Sequence, residues 1–327
     1  MTFLRRIAPQ LVTLAVVLGM IAIVFPGFFD ISLANGRLYG SPIDILNRGA
    51  PVALLAIGMT LVIATGGIDL SVGAVMAICG AIAAAAISAG YGLPVTLAMA
   101  LAAGLACGLW NGLLVAVLGI QPIVATLILM VAGRGIAQLI TEGAILTFND
   151  GGLAFVGSGT LLWLPTPVVI WLVAGALVTL LVRRSALGTL IEAVGVNRRA
   201  SMLAGINASL LIVTVYAVSG VCAAMAGIIV AADIRGADAN NAGLFLELDA
   251  ILAVVIGGTS LLGGRFSILA SLVGAVTIQA VNTGILVAGF PPEFNLVIKA
   301  LIVLAILFVQ SPALRGGGLL LGLRSRR

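Results

Sequence analysis

Histidine is absent from the 327 residues, charged residues make up only 8% of them, and Lys299 is the single lysine. Each lack excludes something. Without histidine the chain loses the side chain that most often serves as general base, proton shuttle or metal ligand near neutral pH. The three cysteines, Cys79, Cys107 and Cys222, all lie in apolar stretches without Cys-x-x-Cys spacing, so neither a disulfide framework nor a metal site is expected. A phosphate-binding loop needs Gly-x-x-x-x-Gly-Lys-Ser/Thr, and Lys299 stands among Val297, Ile298 and Ala300 instead. Any ATP must be split by another protein. No Ser-His or Cys-His pair and no metal-spaced carboxylates are present, so catalytic residues, metal and cofactor are all expected to be absent. The net charge of +5 comes from 16 basic against 11 acidic residues, but the arginines gather beside the ends of apolar runs. Membrane topology selects that placement, and nucleic acid is not implied.

What is abundant is apolar surface. Hydrophobic residues make up 62% of the chain, and the mean hydropathy is +1.29. Ordinary soluble domains carry about 25% charged residues. At about 20 residues per span, the apolar runs predict about ten helices near 9–28, 48–65, 71–90, 93–118, 122–141, 166–183, 210–232, 248–263, 266–288 and 294–311, or eight or nine spans, since only glycine pairs divide the second from the third and the eighth from the ninth. The fold class is all-α: one polytopic transmembrane domain over 1–327, embedded in the lipid bilayer. The basic clusters Arg5–Arg6, Arg183–Arg184 with Arg198–Arg199, and Arg315 with Arg324, Arg326 and Arg327 fall on one side of a ten-span chain. The positive-inside rule makes that side the cytoplasm. The short N-terminus 1–8, the loop 183–209 and the tail 312–327 are then cytoplasmic. The other loops carry Asp30, Asp44, Glu142, Asp150, Asp233, Asp238 and Glu293. Two of them, Phe29 to Asn47 and Glu142 to Pro165, are longer than connection requires, as binding or docking loops are.

Between two apolar runs stands GGIDLSVGA, Gly66–Ala74. Two glycines end a helix, and Asp69 and Ser71 supply acceptors for the N–H groups of the next. An unpaired aspartate at the bilayer centre costs about 2.5–3.5 kcal/mol on insertion scales, so Asp69 belongs in a protein interior or a watery cavity. Broken backbone is tolerated only where protein or water covers it. A helix cap and a translocation-pathway element both fit. GGTSLLGG, Gly257–Gly264, resembles this stretch, and GILVAGFPP after Gly284 resembles GLLVAVLGIQP after Gly112 in the same order. Duplicated halves with interrupted helices are how many transporters place their pathway. Gly66, Gly67, Asp69, Ser71, Asn111, Gly257, Gly258 and Asn282 are therefore the pathway candidates, Asn111 and Asn282 serving either a hydroxylated solute or a tie between helices. Gly104, Gly108 and Gly112 recur every fourth residue and offer a flat face for another helix. Arg134 and Lys299 lie within apolar spans, where a charge is costly, and pairing with a carboxylate would relieve either.

The inner loop reads RRSALGTLIEAVGVNRRASMLAGINASL from Arg183. Two short helix-compatible segments flank a basic turn, which suits docking to a soluble partner and equally suits orientation alone.

These stretches resemble the permease subunits of ATP-binding-cassette importers for ribose, xylose, galactose and related sugars. The resemblance is carried by GGIDLSVGA, EAVGVNRRASMLAGIN and ELDAILAVVIGGTSLLGGRF, and further by SPIDILNRGAPVALLAIGMTLVIATGG, QPIVATLILMVAGRGIAQLIT and VAADIRGADANNAGLFLELDAILAVVIGG. Phe266 stands where many members have glycine. The resemblance implies a bacterial inner-membrane permease for a monosaccharide, galactofuranose or a related sugar. Its implied partners are a cytoplasmic ATPase, a second permease chain, identical or related, and a periplasmic sugar-binding protein. Glu192, Gly195, Asn197, Arg198, Arg199 and Gly205 would form the ATPase-coupling element. Asp233, Arg235, Asp238, Asn240 and Asn241 would face the binding protein or the entrance. A stand-alone channel or ion-coupled carrier is the competing expectation.

Overall fold

The computed structural model describes residues 2–34, 36–289 and 292–310. The tail 312–327 with its arginines, and the side chains of Arg5, Arg6 and Glu293, lie outside the described residues. The helices are α1 (Thr2–Val24), α2 (Ser41–Arg48), α3 (Ala50–Ala64), α4 (Val72–Ser88), α5 (Leu93–Ala116), α6 (Pro122–Ile140) and α7 (Gly151–Ser158). They continue with α8 (Thr166–Arg184), α9 (Leu187–Val196), α10 (Arg198–Leu203), α11 (Ala208–Ile234), α12 (Leu246–Ile256), α13 (Ile268–Val287) and α14 (Pro292–Gln310). Proline stands in the first two positions of six of them, at Pro42, Pro51, Pro94, Pro122, Pro167 and Pro292, where its missing N–H costs nothing.

Each of the ten predicted apolar runs contains a helix, but they are not equal. Among the described residues six helices are long and apolar enough to cross a membrane, and α2 with α3, bent by 47°, would make a seventh. The predicted eighth span, 248–263, is corrected: α12 stops after 11 residues at Ile256, because Gly258 takes a left-handed φ of +84° and closes the helix.

α3 is apolar on every side and all 15 of its residues are buried, the signature of a helix at the centre of a packed bundle. α11 lies across α3, α4 and α5, while α12 and α13 cover α3 elsewhere and α6 backs α4. The glycine row of α5 is what lets α11 come close. A side-chain carbon at Gly104 or Gly108 would overlap the backbone of α11 at Gly220 or Tyr216, and one at Gly220 would overlap Gly104 in return. The bundle's flanks expose Leu113, Val117, Val131, Leu139, Leu177 and Leu181. That much apolar surface belongs in lipid.

The end of the bundle opposite α9 is built, not loose. The long loop 29–47 contains an antiparallel pair, Ser32–Ala34 with Arg37–Tyr39, followed by α2. The loop 142–165 contains α7, capped by Asp150, whose carboxylate accepts from the Leu153 N–H at 2.7 Å. Strand residues Leu146–Thr147 pair with Gly236–Ala237.

Candidate functional site

The two glycine-marked breaks begin alike. After α3, Gly66 has φ +80° and the Gly67 N–H returns to the Val62 carbonyl at 3.1 Å. After α12, Gly258 takes the left-handed position and the Thr259 N–H returns to Val254 at 3.2 Å. Both are Schellman caps. The sequences align Gly66 with Gly257, yet the left-handed residues are Gly66 and Gly258, so the structural correspondence is shifted by one position.

Beyond the cap the breaks diverge. In the first, Asp69 is 2% exposed. Its Oδ1 accepts from the Ser71 N–H at 3.1 Å and the Ser71 hydroxyl at 2.6 Å, and its Oδ2 accepts from the Ser219 hydroxyl at 2.9 Å. Asn111 Nδ2 donates to the Ser71 hydroxyl at 2.8 Å. The expected role of Ser71 as a cap is thereby corrected: it opens α4 with no side-chain bond to that helix, because its hydroxyl is spent between Asp69 and Asn111. Asn111 therefore does tie helices, α5 to the first break.

The second break, Gly257 to Ser267, opens onto a cavity of about 770 Å3. Ser267 caps α13 by accepting from the Ala270 N–H at 3.3 Å. Gln10 of α1 reaches in, and its Nε2 donates to the Gly257 carbonyl at 3.1 Å. Gln10 Oε1 and Thr259 Oγ1 are buried without a partner. Asn282, farther along α13, also keeps a buried unpaired Oδ1 and lies apart from both breaks.

The breaks meet at the inner loop. Gly264 donates its N–H to the Ala64 carbonyl at 2.9 Å, satisfying an end of α3 that would otherwise lack a partner. Gly195 of α9 packs into the same junction. A side-chain carbon there would overlap the Ala64 carbonyl oxygen and approach Gly264 N to 2.6 Å, while one at Gly263 would meet the Gly195 carbonyl at 2.9 Å and Gly66 N at 3.0 Å. Three backbone segments, one from each break and one from the inner loop, are thus in contact.

The other inner-loop residues divide. Asn197 caps α10, accepting from the Ala200 N–H at 3.0 Å, and Gly205 at φ +86° ends the turn beyond it. Arg198 points inward, donating to the Ala116 carbonyl at 2.9 Å at the end of α5, so it braces the loop against the bundle. Arg199 is exposed and Glu192 lines the cavity of the second break.

At the opposite end, Arg134 of α6 donates to the Ala239 and Ala242 carbonyls at 3.0 and 2.6 Å, and Gln138 donates to Asn240 at 2.8 Å. Arg134 thus holds a loop rather than a free carboxylate. Asp238 accepts from Asn241 Nδ2 at 2.8 Å and from the N–H groups of Asn240 and Asn241. Those bonds, the Asn241 side chain first, hold its carboxyl below the usual range. Arg235, left-handed at φ +51°, ends α11, and Asp233 beside it is exposed.

Lys299 is buried and pairs with both oxygens of Asp249, at 2.9 and 3.0 Å, joining α14 to α12. Sequence reasoning passed over Asp249 and its neighbour Glu247, which are 4% and 7% exposed, and likewise Gln10, Ser219 and Thr259. The available signal was a polar side chain in an otherwise apolar stretch.

The family described as Branched-chain amino acid transport system / permease component matches residues 41–307. The chain is 64% identical to the galactofuranose transporter permease protein of Escherichia coli (strain K12), over 97% of this chain and 93% of that one. It is 42% identical to the fructose import permease protein of Bifidobacterium longum (strain NCC 2705), over 85% of this chain and 79% of that one. It is 36% identical to the ribose import permease protein of E. coli (strain K12), over 92% of each. No solved structure matches the chain at a significant level.

Proposed function

The chain belongs to the family of branched-chain amino acid transport system / permease components, and from that premise we propose that it is the permease subunit of an ATP-binding-cassette importer that passes a monosaccharide, galactofuranose or a close relative, across the bacterial inner membrane. It acts with a cytoplasmic ATPase, a second permease chain and a periplasmic sugar-binding protein. The whole of 1–327 is one transmembrane domain with both termini in the cytoplasm, and 183–209 is the loop that the ATPase moves.

The observation that carries this reading is the junction at Gly195. A loop that merely oriented the chain would have no reason to press its backbone against both helix breaks. Movement of α9 here displaces the ends of α3 and of the second break together, so ATP-driven motion of a docked partner reaches the pathway without intermediaries. The same loop offers a partner apolar surface on its far side, with Val196 and Leu203 exposed at 77% and 92%. Asp233, Arg235 and the pinned loop 238–241 are the surface for the binding protein, and Asp69, Ser71 and Asn111 hold the first break shut around the pathway.

Reconstitution tests it. The chain alone in liposomes is expected to move no sugar, and the assembly with ATPase and binding protein to accumulate it. Leu203→Asp should lower co-purifying ATPase about tenfold or more, the equivalent of one unburied leucine. Solute movement by the chain alone, blind to ATP, would instead mark a channel or carrier.

A further inference from the structure

The hairpin that leads into α8 carries an apolar tip on a backbone that such residues avoid. Thr160–Leu161 pairs antiparallel with Leu164–Pro165, so Leu162 and Trp163 alone make the turn. Both take left-handed φ, +52° and +66°, the two-residue geometry that ordinarily selects Asn-Gly or Asp-Gly. Neither side chain is buried in return: Leu162 is 79% and Trp163 67% exposed. Strained backbone persists only where its surroundings hold it, and here they do. The Leu38 N–H donates to the Trp163 carbonyl at 3.0 Å and the Thr166 N–H to the Gly159 carbonyl at 3.0 Å, while Arg37 Nη1 donates to the Ser158 carbonyl at 3.3 Å. The loop 29–47 thus clamps the hairpin in place.

α8 fixes the level at which this tip stands. Its 19 residues rise about 28 Å, close to the roughly 30 Å of hydrocarbon in a bilayer, so each of its ends lies at an interface. The tip comes just before its first turn. The exposed apolar row of α8 begins only at Leu172 and Val173 and continues through Leu177 and Leu181, because Thr166, Pro167 and Val168 are buried at the end where the hairpin packs. The hairpin therefore continues the lipid-facing flank of α8 at the one level where the helix itself is covered. Tryptophan and tyrosine concentrate at that level of a membrane, together with arginine, because an apolar body with a polar edge suits both sides of the boundary. Trp163 has that company. Tyr39 is exposed on the neighbouring antiparallel pair, and the Arg37 guanidinium lies 5.4 Å from its ring centre.

We propose that the Leu162–Trp163 turn is an interfacial anchor, seated among the lipid headgroups and the first acyl carbons at the end of the bundle opposite α9. An anchor of this kind is independent of the solute carried. Its consequence is mechanical. α8 ends at Arg184 and α9 starts at Leu187, so the helix tied to lipid at one end enters the inner loop at the other. Motion of α9 then swings α8 about a fixed end and does not carry it up or down in the bilayer.

Fluorescence quenching of the full-length chain in liposomes tests it. Trp110→Phe removes the exposed tryptophan of α5. Trp163→Phe in that background isolates the Trp163 signal by difference, with the buried Trp171 and its bond to the Leu46 carbonyl left in place. The probes are phosphatidylcholine brominated near the glycerol end of its acyl chains, the same lipid brominated near the methyl end, and aqueous iodide. Trp163 is expected to be quenched about twofold more by the glycerol-end bromines than by the methyl-end ones, and by iodide about threefold less than free tryptophan, as befits a ring at the boundary. A spin label on Leu162→Cys gives an independent reading in a Cys107→Ala background, since Cys79 and Cys222 are buried. It should collide more often with dissolved oxygen than with a water-soluble nickel chelate. Iodide quenching as strong as that of free tryptophan, with neither brominated lipid effective, would overturn the anchor and place the tip in water. Relief of that iodide quenching by an added periplasmic sugar-binding protein would overturn it in favour of a docking surface for that protein. Stronger quenching by the methyl-end bromines would overturn it too, by setting the tip in the hydrocarbon core.

Discussion

The two helix breaks share one opening and differ in everything after it. Both begin with a Schellman cap, and both approach the same spot near Gly195. The first then closes on itself: Asp69 receives three bonds, from Ser71 twice and from Ser219 once, and Asn111 completes the set. The second leaves Gln10 Oε1 and Thr259 Oγ1 unpartnered beside open space. A buried polar group left without a partner costs about 1–3 kcal/mol, and the first break keeps such atoms too, Asn111 Oδ1 and Tyr216 Oη, so the breaks differ in that only the first gathers side-chain bonds around a carboxylate.

The contrast can be broken from its foundations. α12, which leads into the open break, is anchored by the Lys299–Asp249 pair, and removal of one partner of a buried pair costs about 3–5 kcal/mol. Asp249→Asn should therefore give the largest loss of thermal stability in detergent, and the double variant Asp249→Leu, Lys299→Met should recover most of it. Recovery that fails would mean that the pair does more than hold α12. Next comes the contact between the breaks. Gly195→Ala forces a carbon into the Ala64 carbonyl, and overpacking of this kind costs about 1–3 kcal/mol. It should uncouple ATP hydrolysis from sugar accumulation even where the protein is still folded.

A finer comparison sets the breaks side by side. Ser219→Ala deprives Asp69 of a bond and should cost about 1–3 kcal/mol, whereas Thr259→Val should leave the melting temperature unchanged or raised. Equal losses would erase the distinction drawn here. The smallest effect lies away from both breaks. Asp238 has a lowered pKa in the folded protein, so its contribution is present above the ordinary aspartate value near 3.8 and disappears as pH falls through the lower folded one. As pH falls from above that value through the lower folded one, the protection of residues 236–242 against hydrogen exchange, corrected for the intrinsic rate at each pH, should fall.

Much of this was legible in the sequence. Apolar run length marks where the longer helices lie, since a bilayer leaves no other way to satisfy the backbone, but it overstates the spans, of which six or seven are long enough among the described residues; the four-residue glycine spacing announces the seam on α5. GGIDLSVGA reads as an interruption because paired glycines and an aspartate have no place inside a span. The break at Gly257–Gly258 was legible from the glycine pair, but the span was drawn on to residue 263, because LLGG after the cap is as hydrophobic as a helix. Nor was the partner of Asp69: Ser219 lies 150 residues away, and a serine in an apolar helix looks the same whether it faces a carboxylate or its own backbone. Gln10 was missed for that reason too. Arg198 was placed in the coupling element through the resemblance, and no pattern in the sequence shows that its side chain turns back to the Ala116 carbonyl at the end of α5.

The glycine seam between α5 and α11 also has a consequence in time. Its two halves are separated by more than a hundred residues of chain, so at about 5–20 residues per second the ribosome leaves α5 without its mate for roughly 5–20 s. During that interval the flat glycine face, Asn111 and Asp69 stand without α11 in a membrane that offers lipid in its place. Until Ser219 arrives, Asp69 has only the bonds that Ser71 can give it, so a chain ending before α11 would carry an under-bonded carboxylate and an uncovered glycine face.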